Sequence, residues 1–189
     1  EPVWSDVLTF GIRLISPNDF AYRADVTFPG YTGGSTLANF PVLVRLSETI
    51  GGFSYSQAAA GGADLRFALA DGTPLDSEVA VWDETGESLV WVRLPELADN
   101  TSITLYWGGT DTAFPDSQTD GSVWGGASYV GVWHLEESGD TLADSTANGL
   151  DGTRHGTVGR VAAGLAGAGH RISDGSSGVG IGISNYDAL

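Results

Sequence analysis

Asp144, Ser145, Asn148 and Asp151 crowd several oxygen ligands into one short glycine-bearing stretch, Asp144-Ser145-Thr146-Ala147-Asn148-Gly149-Leu150-Asp151-Gly152. A hard-oxygen set of this kind suits Ca²⁺, although the spacing is not that of an EF-hand, which needs a terminal bidentate Glu. Asx residues also build turns by bonding their own backbone, and turn chemistry alone explains this composition. Two readings therefore stand: a structural Asx loop, or a calcium site on Asp144, Asn148 and Asp151. His134 sits beside Glu136 and Glu137, which suggests an acid/base set. In a strand, however, Glu136 shares a face with His134 while Glu137 points away. Two carboxyl groups about 5 Å apart across a substrate, as a retaining glycosidase requires, are not supplied by neighbours on opposite faces. A sheet-face histidine leading into a charged loop is the reading we adopt. His155 and His170 are isolated and give no metal-ligand spacing.

Six tryptophans offer a different chemistry, stacking on the apolar faces of sugar rings. Trp82, Trp91 and Trp107 lie inside apolar strand candidates and are expected in the core. Trp4 and Trp124 lie in loops and are the candidate ligand-binding residues. No Gly-x-Ser-x-Gly elbow, phosphate loop or dinucleotide fingerprint occurs. The absence of cysteine excludes disulfides, thiolate metal sites and cysteine nucleophiles. The expectation is a protein that is not an enzyme.

The elements that must position these residues read as short strands. Tyr22, Ala24, Val26 and Phe28 alternate with Arg23, Asp25 and Thr27, the period of two of a half-buried strand. Further candidates are 40–46, 65–69, 79–82, 89–94 and 103–107, each bounded by turn residues such as Pro29-Gly30, Asp71-Gly72 and Gly108-Gly109. The one helical candidate, 55–60, is a turn or two long. Short connections permit hairpins but not crossover helices, so the chain is expected to be all-β, an antiparallel β-sandwich. Residues 110–126 are polar, carry Asp111, Asp116 and Asp120, and read as a connector between two units. After it, 129–135 and 178–183 are strand candidates. Arg23, Arg45, Arg66 and Arg93 are expected to pair across strands with the abundant carboxylates.

The whole chain of 189 residues carries 24 acidic and 8 basic groups, all of the latter arginine, for a net charge of -16. Such a balance repels a nucleic-acid backbone or an anionic membrane, so neither is an expected partner. No apolar run approaches the ~20 residues of a membrane span, and no membrane insertion is expected. Acidity, lysine depletion and an abundance of Trp, Tyr, Gly, Asp and Thr favour an exported module: extracellular, at the cell surface or periplasmic. The opening Glu1-Pro2 suggests a processed or trimmed chain.

A resemblance is carried by Tyr22-Arg23, Asn39-Phe40-Pro41-Val42-Leu43-Val44-Arg45-Leu46, Gly62-Ala63-Asp64-Leu65-Arg66-Phe67, Asp71-Gly72, Glu78, Trp82, Val90-Trp91-Val92 and Leu105-Tyr106-Trp107-Gly108. In that order they resemble a bacterial exported domain known as domain of unknown function 2341, over roughly residues 4–110. Gly131-Val132-Trp133-His134-Leu135 followed by the Asp144–Gly152 loop resembles the opening of a laminin-G-like, concanavalin-type jelly roll. The resemblance implies a β-sandwich over 1–110, an acidic connector over 111–127, and a partial, apparently incomplete jelly roll over 128–189. It also implies a recognition or adhesion module of a bacterial surface protein, binding glycans or partner proteins. Alternatives are a structural subunit that self-associates or has its jelly roll completed by a second chain, and the periplasmic part of a biopolymer-transport complex.

Overall fold

The computed structural model describes residues 14–126, 129–156, 158–161, 164, 166–172 and 180–183. Among them there is no α-helix, only short 3-10 turns, and every strand pairing is antiparallel. The strands are β1 (Phe20–Phe28), β2 (Leu37–Leu46), β3 (Arg66–Ala68), β4 (Pro74–Leu75), β5 (Ser77–Val81), β6 (Ser88–Leu97), β7 (Thr101–Gly109), β8 (Thr141–Leu142), β9 (Gly152–His155), β10 (Val158–Val161), β11 (Gly169–Ile172) and β12 (Gly180–Ile183). The all-β antiparallel expectation holds. The six strand candidates of the first 110 residues correspond to β1, β2, β3, β5, β6 and β7, and the 55–60 candidate is a single 3-10 turn, Tyr55–Gln57.

Two sheets face each other, ordered β1-β7-β3-β4 and β2-β6-β5. The period of two decides what they share. Val42, Val44 and Leu46 of β2, Val90, Val92 and Leu94 of β6, and Ile103, Leu105 and Trp107 of β7 all point into one core. On β1, Ala24 and Val26 stand opposite Leu105 and Ile103 and pack on the same core. Asn100 turns the β6–β7 hairpin at φ 58, a left-handed conformation that Asn tolerates. A buried carboxylate pins the loop between the sheets: Asp64, 1 % exposed, accepts backbone N–H groups of Ala59 (2.8 Å), Gly108 (2.7 Å) and Gly109 (3.2 Å). Arginines do pair with carboxylates, Arg45 with Glu87 and Arg93 with Asp76, while Arg66 spends its guanidinium mainly on the carbonyls of Ala63, Leu65 and Ala113.

The polar stretch after β7 lies along the outer edge of β5. Ser117 Oγ accepts the Ser77 N–H (3.1 Å) and donates to its carbonyl (2.8 Å), and Gln118 does the same at Val79 with its amide (2.8 and 3.1 Å). Two side chains thus act as the peptide groups of a missing neighbour strand at alternate residues, which seals an edge that would otherwise template pairing. Val123 and Trp124 follow, both buried.

Beyond residue 128 the strands are shorter: β12-β9-β8 form one sheet and β10-β11 a hairpin. One expectation fails here. Residues 129–135 form no strand. Leu135 adopts φ 63, which breaks extended backbone, and side chains of the Asx loop take the hydrogen bonds a neighbour strand would have made. The 178–183 candidate corresponds to β12 over Gly180–Ile183. No helix among the described residues is long and apolar enough to cross a membrane.

Candidate functional site

The site grows from the outer face of the β2-β6-β5 sheet. Since Val90 and Val92 point inward, Trp91 must point outward, in register with Leu43 on β2 and Glu78 on β5. The expectation that Trp91 joins the sandwich core is therefore overturned by strand parity, whereas Trp107 is in the core and Trp82 packs on its margin. Trp124, 4 % exposed, stands edge-on to Trp91 at 5.2 Å. This candidate ligand-binding residue lies in the loop region, in a 3-10 turn, and its ring is covered by Tyr129 (5.5 Å) and His134 (5.7 Å). The His134 ring lies nearly parallel to Trp91, at 6.3 Å and 18°.

Behind this aromatic stack lies Glu78, 7 % exposed. Its Oε2 accepts the Trp124 indole N–H at 2.7 Å; its Oε1 accepts the Ser145 hydroxyl at 2.8 Å and lies 3.1 Å from His134 Nε2. Three segments distant in sequence converge on one carboxylate. The burial that would penalise it is offset by charge-assisted hydrogen bonds from every side. Glu78, His134 and Ser145 do not form a nucleophile relay, because the hydroxyl and the imidazole both address the same carboxylate oxygen rather than each other.

In front of the stack opens a cleft of about 740 Å³ between the sheet face and the 129–136 segment. Aromatic and aliphatic side chains dominate its walls, among them Phe40, Trp91, Tyr129 and Trp133. Tyr129 and Phe40 are 37 % and 36 % exposed. The Trp133 ring is fixed by its N–H, which donates to the Leu150 carbonyl at 2.9 Å. Glu136, at the rim, accepts the Ala168 N–H and pairs with Arg160 at 3.1 Å.

The Asx loop braces the 129–136 wall of the cleft. Asp144 Oδ1 accepts the N–H of Val132 (2.9 Å) and of Thr146 (3.0 Å); Oδ2 accepts the Thr146 hydroxyl (2.8 Å) and the Leu150 N–H (2.9 Å). Burial works to raise the Asp144 pKa, but the backbone N–H groups of Val132, Thr146 and Leu150 and the Thr146 hydroxyl outweigh it and hold the carboxyl below its ordinary value. Asn148 donates to the Val130 carbonyl (2.9 Å), and Asp151 accepts the Asp144 N–H (2.9 Å). The three calcium candidates are thus brought into one loop, with these polar groups directed at the chain. Among the described residues no group of three or more His, Cys, Asp or Glu is arranged to hold a metal ion. Gly121, at φ 78, locks the loop to the polar stretch: a Cβ there would stand 2.3 Å from the Ala147 nitrogen.

A second cleft, about 660 Å³, lies across the β5 edge between Arg66, Asp76, Asp111 and Asp116. Trp4 lies outside the described residues. Glu78 escaped sequence reasoning as a site residue; its signal is a carboxylate inside a strand, directly before the apolar run Val79-Ala80-Val81.

No curated protein and no solved structure matches the chain. Residues 61–127 match the family model described as Domain of unknown function (DUF2341), a match that ends before the stretch resembling a laminin-G-like jelly roll. The matched stretch is narrower at its start than the 4–110 resemblance and extends past it to take in the polar strap along β5. It therefore supplies Glu78, Trp91 and Trp124, the back wall of the aromatic cleft, while Tyr129, Trp133, His134 and Ser145 come from the residues that follow the family match.

Proposed function

We propose that the chain is a recognition or adhesion module without a catalytic centre of its own, part of a larger bacterial surface or periplasmic protein, and that its ligand is a glycan seated in the aromatic cleft. The observation that carries this reading is the cleft itself: about 740 Å³ with exposed aromatic rings and a few fixed polar groups at the rim. That is the usual build of a small-ligand site. Aromatic rings offer flat apolar area to sugar C–H faces without loss of much conformational freedom. Residues 128–189 read as the first part of a laminin-G-like jelly roll; support comes from the antiparallel β12-β9-β8 sheet and the β10-β11 hairpin that follow the Asx loop. A glycan-array screen of the whole chain, with and without calcium, followed by calorimetry on the hits, tests the function. Saturable binding abolished by Tyr129→Ala supports it, and an array without hits counts against it.

A second reading, a structural subunit of a surface assembly, is favoured by one asymmetry. The β5 edge is sealed by Ser117 and Gln118, whereas β1 and β2 end their sheets on the other side of the sandwich. It predicts self-association in ultracentrifugation, and a monomer at all concentrations removes it.

A further inference from the structure

Resting on the reading of the cleft as a glycan site, we propose that it selects uncharged oligosaccharides and turns away uronates and sulfated sugars. Among the described residues no arginine lines the cleft, and the chain contains no lysine; the arginines that flank it on the same sheet face, Arg45 and Arg93, are paired with Glu87 and Asp76. Among the described residues, the ionisable side chains that do line it are Tyr129, His134 and Glu136. His134 is turned to Glu78, whose carboxylate lies directly behind the wall. Glu136 has one oxygen on the Ala168 N–H and the other 3.1 Å from Arg160, so that guanidinium too is shared with a carboxylate.

An anionic sugar entering this space would lose hydration and meet carboxylates instead of a free counter-charge. In a partly desolvated site such a charge is strongly disfavoured. The net charge of -16 adds repulsion at longer range. An uncharged sugar meets none of this. Its C–H faces find the rings of Tyr129 and Trp133, and its hydroxyls find the Tyr129 hydroxyl and the unused lone pairs of Glu136. The selectivity thus comes from repulsion of the wrong ligand as much as attraction of the right one.

The test is calorimetric titration of the whole chain with uncharged gluco-, manno- and galacto-oligosaccharides and with oligogalacturonate, each at low and high ionic strength. The expected result is binding of at least one uncharged oligomer with an affinity that changes by less than about twofold with salt, and binding of the uronate at least about tenfold weaker at low ionic strength. Uronate binding as tight as that of the uncharged oligomer overturns the selectivity and leaves the recognition reading standing. Failure of every oligomer to bind overturns both. Glu136→Gln keeps an acceptor for the Ala168 N–H, removes the charge and frees Arg160, so it should narrow the discrimination; Arg160→Gln should widen it. Discrimination unchanged in both variants refutes the electrostatic origin.

Discussion

Replacing Glu78 is the sharpest perturbation of the arrangement that builds the cleft. Glu78→Ala leaves the Trp124 N–H and the Ser145 hydroxyl without their acceptor behind a closed aromatic wall, and takes the partner from His134. An orphaned buried donor costs about 1–3 kcal/mol, and the loss of a buried carboxylate's desolvation penalty returns part of that. The expected net destabilisation is about 3–4 kcal/mol. Glu78→Gln is the informative comparison. Its amide oxygen can keep the Trp124 N–H while its NH2 donates to the Ser145 hydroxyl oxygen or to His134 Nε2, so it should recover most of the loss and cost no more than about 1 kcal/mol. Urea denaturation followed by tryptophan fluorescence gives both numbers. Hydrogen exchange locates them: the Val132 and Ser145 amides should lose protection while those of β6 keep it. If Glu78→Ala is within about 0.5 kcal/mol of wild type and exchange at Val132 is unchanged, the side chain does not hold the cleft wall and the reasoning fails.

Three other variants probe the supports. Gly121→Ala places a methyl 2.3 Å from the Ala147 backbone nitrogen at a positive φ, and should lower stability by about 2–4 kcal/mol in thermal or urea unfolding. Gln118→Ala, paired with Ser117→Ala, unseals β5; about 1–3 kcal/mol should be lost and self-association should appear in sedimentation velocity. Asp144→Asn should destabilise by about 1–3 kcal/mol at neutral pH. Since the folded Asp144 pKa lies below its ordinary 3.8, its contribution is full above that value and is lost as the pH falls through the folded value; the wild-type and Asp144→Asn unfolding curves should therefore converge in acid.

Local alternation made the strands of the sandwich legible, because each buries one face and shows it in every second residue. The same alternation misled at 129–135, where the residues alternate but Leu135 breaks the extended backbone and the Asx loop supplies the hydrogen bonds. Polarity was silent in a different way at 110–126: Ser117 and Gln118 imitate peptide groups along β5, a role that needs the fold to be seen. Trp91 was assigned to the core from its apolar neighbours, but those neighbours fix the inner face and so force it outward. Glu78 illustrates the limit. Its chemistry depends on Trp124, His134 and Ser145, which lie 46, 56 and 67 residues away, and no spacing rule connects them.

The most direct test of the aromatic cleft as the recognition site is to follow the backbone amide and tryptophan indole N–H resonances while titrating an uncharged oligosaccharide into the labelled chain. The account predicts saturable shifts of the Trp91 and Trp133 signals, with the buried Trp107 signal unmoved. Shifts confined to residues of the Asp144–Asp151 loop or of the cleft near Arg66, with the Trp91 and Trp133 signals unchanged at saturation, would contradict it.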